Sequence, residues 1–379
     1  MAADSKAKWA QSDSNDLSSS DIDDEDVTCF MAEEESEVFD FSSEEFTSDE
    51  LTTTLNDMVI EYKKLLDSLT LVSSKPTVYR TIYVDKLGRG NFSTIQSAID
   101  SIPKNNIRWI CISVMAGDYK EQVTIPVRKP FIYLKGDAKK RTSIIGGGPG
   151  SAFTNSTFIS LADNIVVKHI TFMNSYNYPP KNDSAMTIAV AAVITGDKSS
   201  FYHCSFLGLQ DTLSDAHGRH YFKSCNIVGV LDFIYGAGQS IYEGCTISVI
   251  NGGRDKRLAG FITAQGRERP NDPNGFVFKE CKIVGPRLAH LGRAWREYAR
   301  VIYFNSSFEA SIVPQGWDAW TATGHEERTT FVEEKCYGRG ANTSGRVKWE
   351  KKLSPTELKY FTSISYIDKE GWINKQPNY

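Results

Sequence analysis

Two aspartates stand 21 residues apart in unusual company, Asp211 within GLQDTL and Asp232 within VLDFIYG. Two carboxyls held close together cannot both ionise freely, so one pKa should rise while the other stays low, which divides the pair into an acid and a nucleophile. Cys204 and Cys225 are also separated by 21 residues. If that interval is one turn of a repeating coil, the aspartates share a phase on successive turns and lie one rung, about 5 Å, apart. A pair of structural aspartates in turns would show the same spacing, and spacing alone leaves both readings open.

The elements that must position this pair emerge as an internal repeat. FYHCSF begins at Phe201, YFKSCNI at Tyr221, IYEGCTI at Ile241, FVFKECKI at Phe276 and VIYFNSSF at Val301, at offsets of 20, 20, 35 and 25, with IVVKHITF at Ile165 as an earlier copy. A unit of about 20 residues cannot bury its own apolar face and must stack on its neighbours. The fold class is therefore all-β, a parallel β-helix. The repeated cysteines fall at one phase and are expected to point inward as a stack of small apolar residues. One helix is expected near the start of the body, over Phe92 to Ile102, where Ile95, Ala98, Ile99 and Ile102 share a face suited to capping the open end of a solenoid.

Composition narrows the function classes. The chain is 40% hydrophobic and 12% aromatic, without an apolar run near the roughly 20 residues of a membrane helix. No membrane partner is expected. The seven cysteines contain no C-x-x-C pair, and the odd, scattered set is not a disulfide framework. The net charge of −4 hides an asymmetry: residues 1–50 carry 17 acidic side chains against Lys6 and Lys8, leaving 41 basic and 30 acidic residues downstream. A basic body behind an acidic leader suits an anionic partner for the body.

Residues 1–46 are rich in Ser, Asp and Glu and have the composition of a disordered segment. Leu51, Leu55, Met58, Tyr62, Leu65, Leu66 and Leu69 then predict one amphipathic helix, with Thr47 or Ser48 as N-cap. The N-terminus shows no charged start, apolar stretch and cleavage site of a secretory signal, so this chain as written has no export address. Five N-x-S/T sequons, at Asn91, Asn155, Asn182, Asn305 and Asn342, suit a secreted ancestor of the folded part. The expected organisation is a non-catalytic leader over 1–77 and a catalytic β-helix over 78–379.

Several motifs carry a resemblance. GDYKE at Gly117, QDT at Gln210, DFIYG at Asp232 and LGRAW at Leu291, with GRHYFKSC, ITAQGR and VPQGW between and after them, resemble in order and spacing those of plant pectin methylesterases. The resemblance spans about residues 78–377. It implies a right-handed parallel β-helix, a pectin-lyase-like solenoid, that hydrolyses galacturonate methyl esters of pectin to carboxylate and methanol in the cell wall, as a monomer and without cofactor or metal. Asp232 would be the nucleophile, Asp211 the acid and then the base, and Gln210 an oxyanion donor. Arg293 would pair with Asp232, while Tyr235, Trp295 and Trp317 would wall the sugar site.

This chain departs from the family where a Q-A-V-A-L run reads Ile188-Ala189-Val190-Ala191-Ala192. An isoleucine donates no hydrogen bond, and losing an oxyanion donor typically costs about 10² to 10³ in rate, so a weak or inactive pectin-binding homologue is the alternative. Ser214 also replaces a tyrosine and Ala294 a proline. A pectate lyase would need a calcium-binding carboxylate cluster and a polygalacturonase a third aspartate, and neither stands beside Asp211 and Asp232. The leader, over about residues 15–66, resembles the spacer in the gag region of plant copia-type retrotransposons, through DEDVTCFMA, FDFSSEEFT and LNDMVIEYKKL. Without a zinc knuckle, and with strong acidity, it implies no nucleic-acid partner.

Overall fold

The structure is a computed structural model that describes Met58 and residues 77–180, 186–252 and 258–377. The expected disordered leader, its amphipathic helix, Cys29 and the sequon at Asn182 lie outside the described residues, apart from Met58.

Among the described residues, short strands assemble into one sheet of ten strands and two of eight, and every pairing is parallel. From the strand Ile110–Val114 onward, successive strands go to different sheets and each sheet collects every third one, which makes the body a parallel β-helix. The repeat copies coincide with single coils. Phe201 pairs with Phe222, Tyr221 with Ile241, Ile241 with Val277 and Val277 with Ile302 across the ten-stranded sheet.

The corner after each of these strands is one residue in left-handed conformation. His169, His203, Ser224, Gly244, Glu280, Asn305 and Lys335 have φ of 57, 52, 53, 59, 56, 49 and 55°. From His203 onward the following residue, Cys204, Cys225, Cys245, Cys281, Ser306 or Cys336, turns into the next strand. Cys204, Cys225, Cys245 and Cys281 are buried in the core, and the backbone N–H of Cys225 donates to the Sγ of Cys245 at 3.4 Å. The inward cysteine stack is thus present, and the five buried thiols and Cys336 are all free. Beside it runs an aromatic ladder, Phe201, Phe222, Tyr242, Phe278 and Tyr303, with centroids 5.1, 4.5, 4.6 and 4.7 Å apart and nearly parallel rings. Identical types at matched phase stack without voids, and burial of such rings dominates core energetics.

The expected capping helix is found over Ile95–Asp100. Ile95, Ala98 and Ile99 face inward, and the side chain of Thr94 accepts from the N–H of Ser97. The carboxylate of Glu121, last residue of GDYKE, accepts the N–H groups of Ile95 and Gln96 at 2.9 and 3.0 Å. Two donors that a helix start leaves orphaned are thereby satisfied, which gives that motif a structural role.

Candidate active site

The site lies on the eight-stranded sheet that includes the strands Leu213–Asp215, Leu231–Gly236, Gly260–Gln265, Ala289–Ala294 and Trp317–Asp318 as consecutive rungs. Gln210 bridges Leu231, and Leu213 pairs with Ile234, so Asp211 and Asp232 hold the same phase one rung apart. Between Leu231 and Ile234 the strand carries one residue more than the facing Phe261 to Thr263 stretch, a bulge that re-aims Asp232. Phe233 turns inward there, and a Cβ on Gly229 would lie 2.1 Å from the Phe233 Cβ, so only glycine allows this packing. Asp211 and Asp232 adopt φ of 58 and 48°, a left-handed conformation that costs non-glycine residues free energy and concentrates at functional sites.

Both carboxyls open into a pocket of about 70 Å³ lined by Asp211, Asp232, Tyr235, Ala264, Trp295 and Trp320. Arg293 donates from Nε to Oδ1 of Asp232 at 2.8 Å and from Nη2 to Oδ2. Asp232 is 7% exposed, and its burial raises the pKa while the Arg293 hydrogen bonds and charge oppose the rise. Burial lifts the Asp211 carboxyl well above the usual carboxylate range, and the neighbouring Asp232 adds to that. The expected division of the pair is therefore one of degree. Asp232 does not stay low, because removing a carboxylate from water outweighs even a bidentate arginine, but only Asp232 has the arginine against its oxygens.

Tyr235 and Trp295 meet edge to face at 6.0 Å, and a Cβ on Gly266 would come within 2.8 Å of the Trp295 ring, so the indole lies flat on a glycine backbone. Both aromatics line the pocket beside the two carboxyls. Trp317 does not. It is 1% exposed and stacks on Phe331 inside the coil at 4.5 Å, because strand alternation turns it inward and Asp318 outward. The indole in the cleft is that of Trp320, and the backbone N–H of this residue donates to Oδ1 of Asp318 at 2.7 Å. Sequence reasoning missed it, although the W-x-x-W spacing of GWDAW was a signal that two indoles compete for one end of a strand. Ala264 was also missed; it lies in register between Tyr235 and Arg293 and keeps the pocket floor low.

Gln210 is half-buried beside Asp211. Ile188 bridges it from the preceding rung and, like Tyr235, packs against the buried cluster of Ile159, Val190 and Val193. A larger cleft of about 660 Å³ involves Asp197, Arg219, Glu268 and Asp272. Its charges are largely engaged in ion pairs, Arg219 with Asp197 and Glu370 and Glu268 with Arg296. The small pocket admits an ester group of a few heavy atoms and little else, which suits chemistry on a substituent of a polymer lying across the sheet.

Comparison with known proteins agrees with this geometry. The Pectinesterase family model matches residues 81–370. The chain is 50% identical over 312 residues to "Probable pectinesterase 29" of Arabidopsis thaliana, covering 81% of this chain and 93% of that one. It is 48% identical over 310 residues to "Probable pectinesterase 55" of the same plant, with the same coverage. Among solved structures, pectin methylesterase from carrot superposes with a TM-score of 0.72 at 29% identity, covering 81% of this chain and 99% of that one. With matching motifs, a matching solenoid and half its residues shared with such a relative over the whole body, this chain belongs to the pectinesterase family.

Proposed function

We propose that the β-helix body, residues 78–379, is a carboxylic ester hydrolase that removes methyl esters from galacturonate units of pectin. The observation that carries the reading is the carboxyl pair one rung apart in a shared pocket, with Arg293 on Asp232 alone. Asp232, held ionised by the guanidinium, attacks the C6 carbonyl of the ester. The oxyanion that forms takes a hydrogen bond from the Gln210 amide. Its collapse breaks the bond to the methoxy oxygen, which leaves as methanol with the proton of Asp211, and an anhydride joins Asp232 to the sugar. Asp211, now a carboxylate, takes a proton from water as the water adds to C6; the anhydride breaks, Asp232 returns as a carboxylate and Asp211 is again protonated. A raised Asp211 pKa suits this alternation between acid and base.

Tyr235 and Trp295 offer apolar walls beside the ester. We place the work of the protein at the cell wall, where methylated pectin lies, and read it as a monomer without nucleic-acid or membrane partners. Among the described residues no helix is long and apolar enough to cross a membrane. The test is methanol release from highly methylated pectin by the purified protein, with the polymer length followed in parallel. Methanol without shortening supports the esterase; shortened or unsaturated products without methanol contradict it.

A further inference from the structure

Arg293 reaches Asp232 across an intervening rung. Asp232 belongs to the strand Leu231–Gly236 and Arg293 to Ala289–Ala294, with Gly260–Gln265 between them. Strands are about 4.8 Å apart, so the side chain must extend to span the intervening strand. A long side chain so placed has several torsions to fix before both of its N–H groups meet one carboxylate.

Two rings confine it. The Arg293 Cζ lies 4.5 Å from the Phe261 ring centroid and 3.9 Å from that of Trp320. They come from opposite sides in coil order: Phe261 stands on the rung before Arg293, and Trp320 follows the rung after it. Each ring has its own anchor. His290 stacks on Phe261 at 4.4 Å with 2° between the planes. Trp320 has φ of 43°, a strained backbone held by its N–H bond to Asp318, and Thr321 Oγ1 donates to the Ala294 carbonyl at 2.8 Å.

We propose that Phe261 and Trp320 are positioning residues, which clamp the Arg293 guanidinium by cation–π contact in the one orientation that donates twice to Asp232, and so keep the nucleophile ionised. This rests on the reading of Asp232 as the nucleophile. Other titratable groups set a background that the clamp leaves unchanged: Asp211 and Asp318 face the Asp232 carboxyl, and His290 faces Arg293. The Trp320 face turned to the guanidinium is closed to a sugar, which separates its role from that of a stacking wall.

The experiment compares the full chain with Phe261→Leu, Trp320→Leu and Trp320→Phe, all checked by circular dichroism; Phe261 and Trp320 are only partly buried, so these variants should fold. The Asp232 carboxyl is titrated by carbon NMR in aspartate-labelled protein, its signal assigned from Asp232→Asn, and kcat and KM are followed against pH. Cation–π contacts in partly desolvated sites correspond to about a three- to thirty-fold effect. Both leucine variants should titrate Asp232 at higher pH, move the acidic limb of the rate profile upward and lower kcat by that factor with KM little changed. Trp320→Phe should recover most of the loss, and in an Arg293→Ala background the leucine substitutions should cost nothing more. Unchanged Asp232 titration, or a rise in KM alone, overturns the clamp. Absence of methanol release by the wild-type chain would overturn the esterase reading instead, while the NMR titration would still decide the clamp.

Discussion

Ile188 pairs with Gln210 across one rung of the site-bearing sheet, and Gln210 pairs in turn with Leu231, the residue before Asp232. The position that the family fills with a glutamine is thus adjacent to the remaining amide of the site. Ile188→Gln should place a second donor near the developing oxyanion and raise kcat on methylated pectin, by as much as about 10². An unchanged or lower turnover number would show that the side chain at 188 does not reach the ester oxygen.

Asp211 and Asp232 should shape the pH profile from opposite sides. Activity rises with pH as Asp232 ionises and falls where Asp211 loses the proton it must donate, and because burial raises the Asp211 pKa the protein keeps its acid protonated beyond the usual carboxylate range. Asp211→Asn should slow methanol release by about 10² to 10⁴ and leave the remnant without the alkaline limb. A remnant that keeps that limb would assign it to another group.

A polar network inside the coil should matter for stability. Asp215 and His220 are both 0% exposed, with Nδ1 to Oδ1 at 2.6 Å, while Tyr242 donates to Oδ2 at 2.7 Å. His220 Nε2 lies 2.9 Å from the Gly196 carbonyl, which can only accept, so Nε2 carries a hydrogen. Tyr242→Phe keeps the ring in the aromatic ladder but leaves a buried carboxylate oxygen short of a donor. Denaturant unfolding should show a loss of about 1–3 kcal/mol; a change under about half a kcal/mol would mean that the network closes without the hydroxyl.

Removing residues 1–77 should leave the body folded and active, since Val78 onward supplies the core. Thermal unfolding of the two forms should agree within a few degrees. A larger fall in midpoint would show that the leader packs on the solenoid.

What was legible in the sequence is what repeats. The Phe-x-x-Cys copies gave the coil because one residue per turn must fill the same inward place, and the 21-residue spacing of the aspartates inherits that period. The left-handed corners were not legible: His203, Ser224, Glu280 and Lys335 have no side-chain type in common, and the conformation is imposed by the stacked coils rather than by local preference. Trp317 was misplaced because inward and outward alternate by single residues, and the strand Trp317–Asp318 is too short to display its phase. Phe261 escaped notice because its partner Arg293 is 32 residues away, and only stacking brings them together.

The most direct test is Asp232→Asn. The substitution removes the attacking charge and keeps nearly the same shape, so circular dichroism and pectin binding should match the wild-type chain while methanol release from methylated pectin falls to background. A folded Asp232→Asn protein that releases methanol at the wild-type rate would contradict the account and return the two aspartates to a structural role.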